Sequence, residues 1–134
     1  MIDWDALIEA AKTAQDRAYA PYSNYFVGSA ILAGGEIFAG CNVENASYGA
    51  TVCAERNAIA AMVLAGHRRI EAVVVLTPSQ KPKTACGLCR QVLAEFQHHG
   101  DFEVLSIGST GQRNKQLFSE LHPSGFGPED LKQP

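Results

Sequence analysis

The sequence predicts an α/β fold in which helices pack on a sheet through parallel crossovers. Two observations carry that prediction. Strand, helix, strand, helix and strand patterns alternate from Glu36 to Ile107, and the run Ala72 to Leu76 is β-branched and apolar throughout, as a strand covered on both faces should be. The chain has 134 residues, 46% hydrophobic and 19% charged, which is the make-up of an ordinary globular domain. A chain of that length buries roughly two-thirds of its extended surface, and no linker or composition shift divides it, so one domain over residues 1–134 is expected.

The elements follow in order. Leu7, Ala10, Ala11, Ala14 and Ala18 repeat at helical spacing, with Asp3 or Asp5 placed to cap the start and Pro21 expected to end the helix. Phe26 to Leu32 and Glu36 to Ala39 read as strands joined by Gly34-Gly35, a pair suited to a tight hairpin turn. Cys53 to Ala65 is a helix apolar nearly all round, hence expected to be buried on most faces, with Gly66 at its end. The strand Ala72 to Leu76 precedes a second helix from Gly87 to His98, which Gly100 stops. Val104 to Ile107 gives another strand, and Lys115 to Phe118 a weaker one before a Gly/Pro-rich tail.

Eleven basic against fourteen acidic residues give a net charge of −3, so no basic footprint points to a nucleic-acid backbone. The start, Met1 to Asp5, lacks the features of a signal peptide, and the longest apolar run, Ala58 to Ala65, is too short to span a membrane. A reducing cytoplasm is therefore the expected compartment, and there paired cysteines read as metal ligands or redox groups before disulfides. Asn45-Ala46-Ser47 then matches a glycosylation acceptor only by coincidence.

Three of the four cysteines stand where helices begin: Cys53 before the first buried helix, Cys86 and Cys89 at the next. Unpaired N–H groups and the positive end of the helix dipole favour thiolates there, and zinc binds thiolates. Three protein ligands leave a fourth position open, the mark of a catalytic site. Cys41 would close that site as a fourth ligand, but it lies alone at a strand end, and a small buried apolar role suits it better. Glu55, two residues after Cys53, is an acidic residue of a first turn; beside a three-thiolate zinc it is placed for proton transfer.

Cys53-Ala54-Glu55 with Cys86-Gly87-Leu88-Cys89 resembles the zinc-dependent nucleoside and nucleobase deaminases. Tyr22-Ser23, Val27-Gly28, Gly40-Cys41-Asn42-Val43-Glu44-Asn45-Ala46, Cys53-Ala54-Glu55-Arg56, Cys86 to Gln91 and the tail Pro123 to Leu131 together resemble the small cytidine deaminases over nearly the whole chain. That resemblance implies a three-layer α/β/α fold with a mixed, mainly parallel five-stranded sheet. It implies one Zn²⁺ per subunit on Cys53, Cys86 and Cys89, with Glu55 as the proton carrier, and conversion of cytidine and deoxycytidine to the uracil nucleosides in pyrimidine salvage. Asn42 and Glu44 match the pair that reads the ribose hydroxyls, and the Ala54 backbone orients the pyrimidine. Tyr25 stands where a phenylalanine lining the base pocket is usual. Phe126 matches an aromatic that reaches a neighbouring subunit's site, which implies a homotetramer. Arg56 is placed to donate to a thiolate and offset the excess negative charge of three sulfurs on one zinc.

Two departures stand out. Ala85 replaces the proline usual before the first cysteine of the pair, and Tyr25-Phe26 changes the pocket-lining segment. Deamination of another cytosine nucleoside such as blasticidin S, editing of a nucleic acid, and a closed structural zinc module are the alternative readings. His98, His99 and His122, Trp4, and the Lys81 and Lys83 pair read as structural or solvated residues.

Overall fold

In the computed structural model, which describes residues 1–132, helix α1 spans Trp4–Asp16. Asp3 caps it, its Oδ1 accepting the Ala6 amide at 3.1 Å and so satisfying an N–H that the first turn leaves unpaired. Leu7, Ile8 and Ala11 form its buried stripe. The helix ends well before Pro21: Arg17 closes the last turn onto Ala14, and Tyr19 then bridges to Val43. Proline is therefore not the stop the sequence led us to expect.

Strands β1 (Gly28–Ala33) and β2 (Glu36–Cys41) form the expected hairpin, with Gly34 at φ +59° and Gly35 at φ +77°. Two consecutive left-handed positions are what a short, right-twisted hairpin turn demands. Helix α2 (Ala54–Leu64), strand β3 (Ala72–Leu76), helix α3 (Gly87–Ala94), strands β4 (Glu103–Ile107) and β5 (Arg113–Leu117) and a single turn α4 (Phe118–Leu121) complete the order. The second predicted helix is thus shorter than its pattern, giving way to a 3₁₀ turn at Gln97–His99. Helix α2 is also less enclosed than expected: Ala60 is exposed, and Leu64 stands almost fully in solvent.

The five strands lie in the order β2-β1-β3-β4-β5. Strand β1 is antiparallel to both β2 and β3, β3 is parallel to β4, and β5 is antiparallel to β4. The sheet is mixed, as expected. Three strands, β2, β3 and β4, share one direction, yet only β3 and β4 are parallel neighbours, because the hairpin inserts β1 between β2 and β3. The expected parallel character thus holds for strand direction and not for pairing.

Strand β3 shows why three layers form. Ala72, Val74 and Leu76 join Leu7, Ile8 and Ala11 of α1 on one face. Val73 and Val75 face the opposite way, into a cluster with Ile59 and Met62 of α2 and Cys89 and Leu93 of α3. Each fully buried valine or leucine contributes about 1.5–3 kcal/mol of transfer free energy.

Both crossovers, β2-α2-β3 and β3-α3-β4, advance across the sheet in the same sense, so right-handed connections put α2 and α3 on the same face. Both helices then start beyond the C-terminal ends of strands, at one edge. Gly40 lets α2 lie directly on β2: a Cβ there would stand 2.5 Å from the Ala54 carbonyl oxygen and from the Ala58 amide nitrogen. That close approach fixes where the first turn of α2, and with it Cys53, must sit. No helix among the described residues is long and apolar enough to cross a membrane.

Candidate active site

Cys53 and Cys86 are the N-cap residues of α2 and α3, and Cys89 lies in the first turn of α3. Neither N-cap thiol bonds back to its own helix, so both are free to face outward. The three sulfurs lie within 4.8 Å of one another, Cys53 and Cys86 at 3.9 Å. A tetrahedral zinc with Zn–S bonds of about 2.3 Å needs sulfurs roughly 3.8 Å apart, which the Cys53–Cys86 separation already matches. Cys41 stands outside it, half-buried rather than buried, with its carbonyl accepting from Asn57 Nδ2 at 2.8 Å. The donor set is therefore three thiols, which leaves a tetrahedral ion one position for a water or substrate atom.

The protonation of the cluster points the same way. Hydrogen bonding from Cys89, then from Arg56, lowers Cys53 to about 5 against the opposing cost of burial. Cys89 is driven far up, first because it supplies the hydrogen bond to Cys53 and then because it is buried. Zinc binds thiolates, so a divalent cation held here would favour ionisation of the sulfurs. Arg56 donates from Nη2 to the Thr51 carbonyl at 2.9 Å and reaches Cys53 Sγ at 3.8 Å, the placement expected of a cation that offsets thiolate charge.

Glu55 follows Cys53 into the first turn of α2 and is only 4% exposed. Desolvation raises its carboxyl to about 7. A carboxyl that titrates near neutrality can both accept and return a proton there.

Cys53, Cys86 and Glu55 line one cavity of about 390 Å³, within the range of small-molecule sites. The same cavity is lined by Asn42, Glu44, Ala54 and Tyr25. Asn42 is nearly buried; its Oδ1 accepts the Val27 amide at 2.9 Å, and its Nδ2 donates to the Tyr25 carbonyl at 2.7 Å. One hydrogen and one lone pair remain on that amide for a ligand. The Glu44 carboxylate accepts the Tyr22 and Ser23 amides at 2.9 and 3.2 Å, together with the Ser23 hydroxyl. The Ser23 hydroxyl is the main reason its carboxyl titrates below the ordinary value.

Phe126 is the candidate that the fold does not bring to this cavity. It is 56% exposed and borders a separate hollow with His98 and His122. Conversely, Thr51, Thr77 and Thr84 line the cavity although their sequence context gave no sign of it. Lys83 is exposed, as expected of a solvated loop near the site, and it also lines the cavity. Ser23 lay within a recognised motif, yet its hold on Glu44 is a contact across 21 residues that only the fold displays.

Three thiols at two helix starts, with a buried carboxyl in the same cavity, define a zinc hydrolase site of the deaminase class. The family model described as the cytidine and deoxycytidylate deaminase zinc-binding region matches residues 1–102. A cytidine deaminase of Sporosarcina psychrophila is 40% identical over 131 residues, 97% of this chain and 96% of that protein. One from Mycoplasma genitalium is 44% identical over 126 residues, 93% of this chain and 95% of the relative. The crystal structure of a cytidine deaminase from Burkholderia pseudomallei superposes with a TM-score of 0.86 at 43% identity, covering 94% of this chain and all of that one. The chain belongs to the cytidine and deoxycytidylate deaminase family.

Proposed function

We propose that the protein hydrolyses the exocyclic C–N bond of cytidine and 2′-deoxycytidine, yielding uridine or 2′-deoxyuridine and ammonia. The observation that carries this reading is the shared cavity, which Cys53 and Cys86 of the three-thiol cluster, buried Glu55, Asn42 and Glu44 all line. Zinc on Cys53, Cys86 and Cys89 supplies the Lewis acidity that makes water a nucleophile near neutral pH. Glu55 accepts the proton of the attacking water, gives it to N3 of the pyrimidine, and assists departure of the C4 amino group as ammonia. The unpaired N–H groups at the start of α2, where Ala54 lines the cavity, support a role for its backbone in orienting the base.

Asn42 and Glu44 supply a donor and acceptors suited to vicinal hydroxyls. A site built to hydrogen-bond hydroxyls discriminates strongly against analogues that lack them. Tyr25 lines the same cavity, which supports its assignment to the wall of the base pocket. The exposure of Phe126, away from its own cavity, supports a homotetramer in which each subunit completes a neighbour's pocket. The reading assigns residues 1–134 to one catalytic domain acting in cytoplasmic pyrimidine salvage.

The test is the loss of cytosine absorbance with cytidine, deoxycytidine, cytosine, CMP and blasticidin S in turn. Turnover of the first two is expected; turnover of CMP or blasticidin S alone would replace the nucleoside assignment. Sedimentation of wild type and Phe126→Ala tests the assembly, with a tetramer expected for the wild type and slower catalysis for the variant.

A further inference from the structure

The Tyr25 and Ser79 hydroxyls hydrogen bond at 2.7 Å across the rim of the cavity, joining segments 54 residues apart in sequence. Tyr25 belongs to the loop that precedes β1, and Ser79 to the loop that leads from β3 toward Lys83, Thr84 and Cys86. The tyrosine is also tied, through its backbone, to both groups placed to read the sugar. Its amide donates to Ser23 Oγ at 3.0 Å, and that hydroxyl in turn donates to the Glu44 carboxylate. Its carbonyl accepts Asn42 Nδ2 at 2.7 Å. Tyr25 thus links the sugar end of the cavity to the loop carrying the metal end.

Ser79 is a firm anchor. Its carbonyl accepts the Ser109 amide at 2.8 Å, and Thr110 Oγ1 donates to the Gln80 carbonyl at 3.0 Å. The turn after β4 packs so closely on this segment that a Cβ on Gly108 would lie 2.4 Å from the Gln80 oxygen. The 20–27 segment is irregular by comparison: it contains no strand or helix, carries one left-handed non-glycine residue, Asn24 at φ +55°, and is held by hydrogen bonds to Asn42, Glu44 and Gln15. A side-chain latch from a rigid loop to an irregular one lowers the ordering cost that a ligand would otherwise meet on binding.

We infer that Ser79 is a positioning residue which, through the Tyr25 hydroxyl, holds Asn42 and Glu44 in register for the sugar hydroxyls. The inference rests on the nucleoside reading above and adds a determinant of sugar selectivity to it. The latch makes no hydrogen bond to the thiols or to Glu55, so it acts on binding and not on the chemical step.

The experiment compares wild type, Tyr25→Phe, Ser79→Ala and the double variant, all zinc-loaded, on cytidine and 2′,3′-dideoxycytidine. Loss of one hydrogen bond predicts a rise of about three- to tenfold in KM for cytidine, with kcat within about twofold. For Ser79→Ala, KM for the dideoxy analogue should change less than about twofold, and on cytidine the double variant should be no worse than either single one, since both remove the same bond. Equal effects on the two substrates, no effect, or additive effects overturn the inference. Hydrogen exchange read without substrate provides a second measure: the amides of residues 22–27 should exchange faster in Ser79→Ala, and unchanged exchange also overturns it. If the wild type turns over no cytosine nucleoside, the deaminase reading fails, while the exchange measurement still tests the latch.

Discussion

The two ends of the cavity are built differently. At the metal end, Cys53, Glu55, Cys86 and Cys89 sit on the first turns of two helices, pinned by a buried core and by the close approach at Gly40. At the end proposed to take the sugar, Asn42, Glu44 and Tyr25 sit on irregular segments held by hydrogen bonds between side chains and backbone. Chemistry needs groups fixed to fractions of an ångström, which secondary structure provides; recognition tolerates a softer frame that hydrogen bonds can tune.

Removing a thiol should break the metal end outright. Cys89→Ala is expected to lower zinc content well below one per chain and abolish turnover, as metal analysis beside the absorbance assay will show; retained zinc with full activity would refute the three-thiol site. Glu55→Gln is the sharper test, because it should retain zinc while lowering kcat by about 10²–10⁴-fold, the usual contribution of a general acid–base. At the sugar end the effects should be smaller. Asn42→Ala is expected to lower kcat/KM about ten- to a hundredfold for cytidine, with the loss also reflecting the slackened loop at Tyr25 and Val27, so thermal stability must be measured alongside.

The smallest effect is a pH limb. Burial favours the neutral form of Glu55 and raises its carboxyl from 4.5 to about 7, yet the group must be charged to accept a proton. Activity should therefore be full above the limb and fall as pH drops through it. A bound cation favours the carboxylate, so the limb in kcat/KM should lie between those two values, falling about tenfold per unit below it. A profile flat down to pH 4 would show that Glu55 does not carry the proton. For stability the sign is opposite: the raised carboxyl contributes most below 4.5, and that contribution is lost as pH rises through about 7.

Much of this was legible in the chain. The alternation of strand and helix patterns gave the α/β class, and Cys53, Glu55, Cys86 and Cys89 announced a metal site because helix starts favour thiolates and because their spacing is restrictive. Local pattern also placed the Gly34-Gly35 turn and the Asp3 cap side of α1. Less local features were not legible. Helix α1 stops where the chain turns away to bridge Tyr19 with Val43, not at Pro21, because a tertiary contact outweighed the nearest helix breaker.

The sequence by itself determined which residues could do chemistry, since donor type, helix-start position and apolar periodicity are properties of short stretches. Only the tertiary structure decided how they assemble. The insertion of β1 between β2 and β3, the turning of Phe126 away from its own cavity, and the latch from Tyr25 to Ser79 all depend on contacts between distant segments. Such contacts form only when the whole core is packed, and no short stretch of sequence encodes them alone.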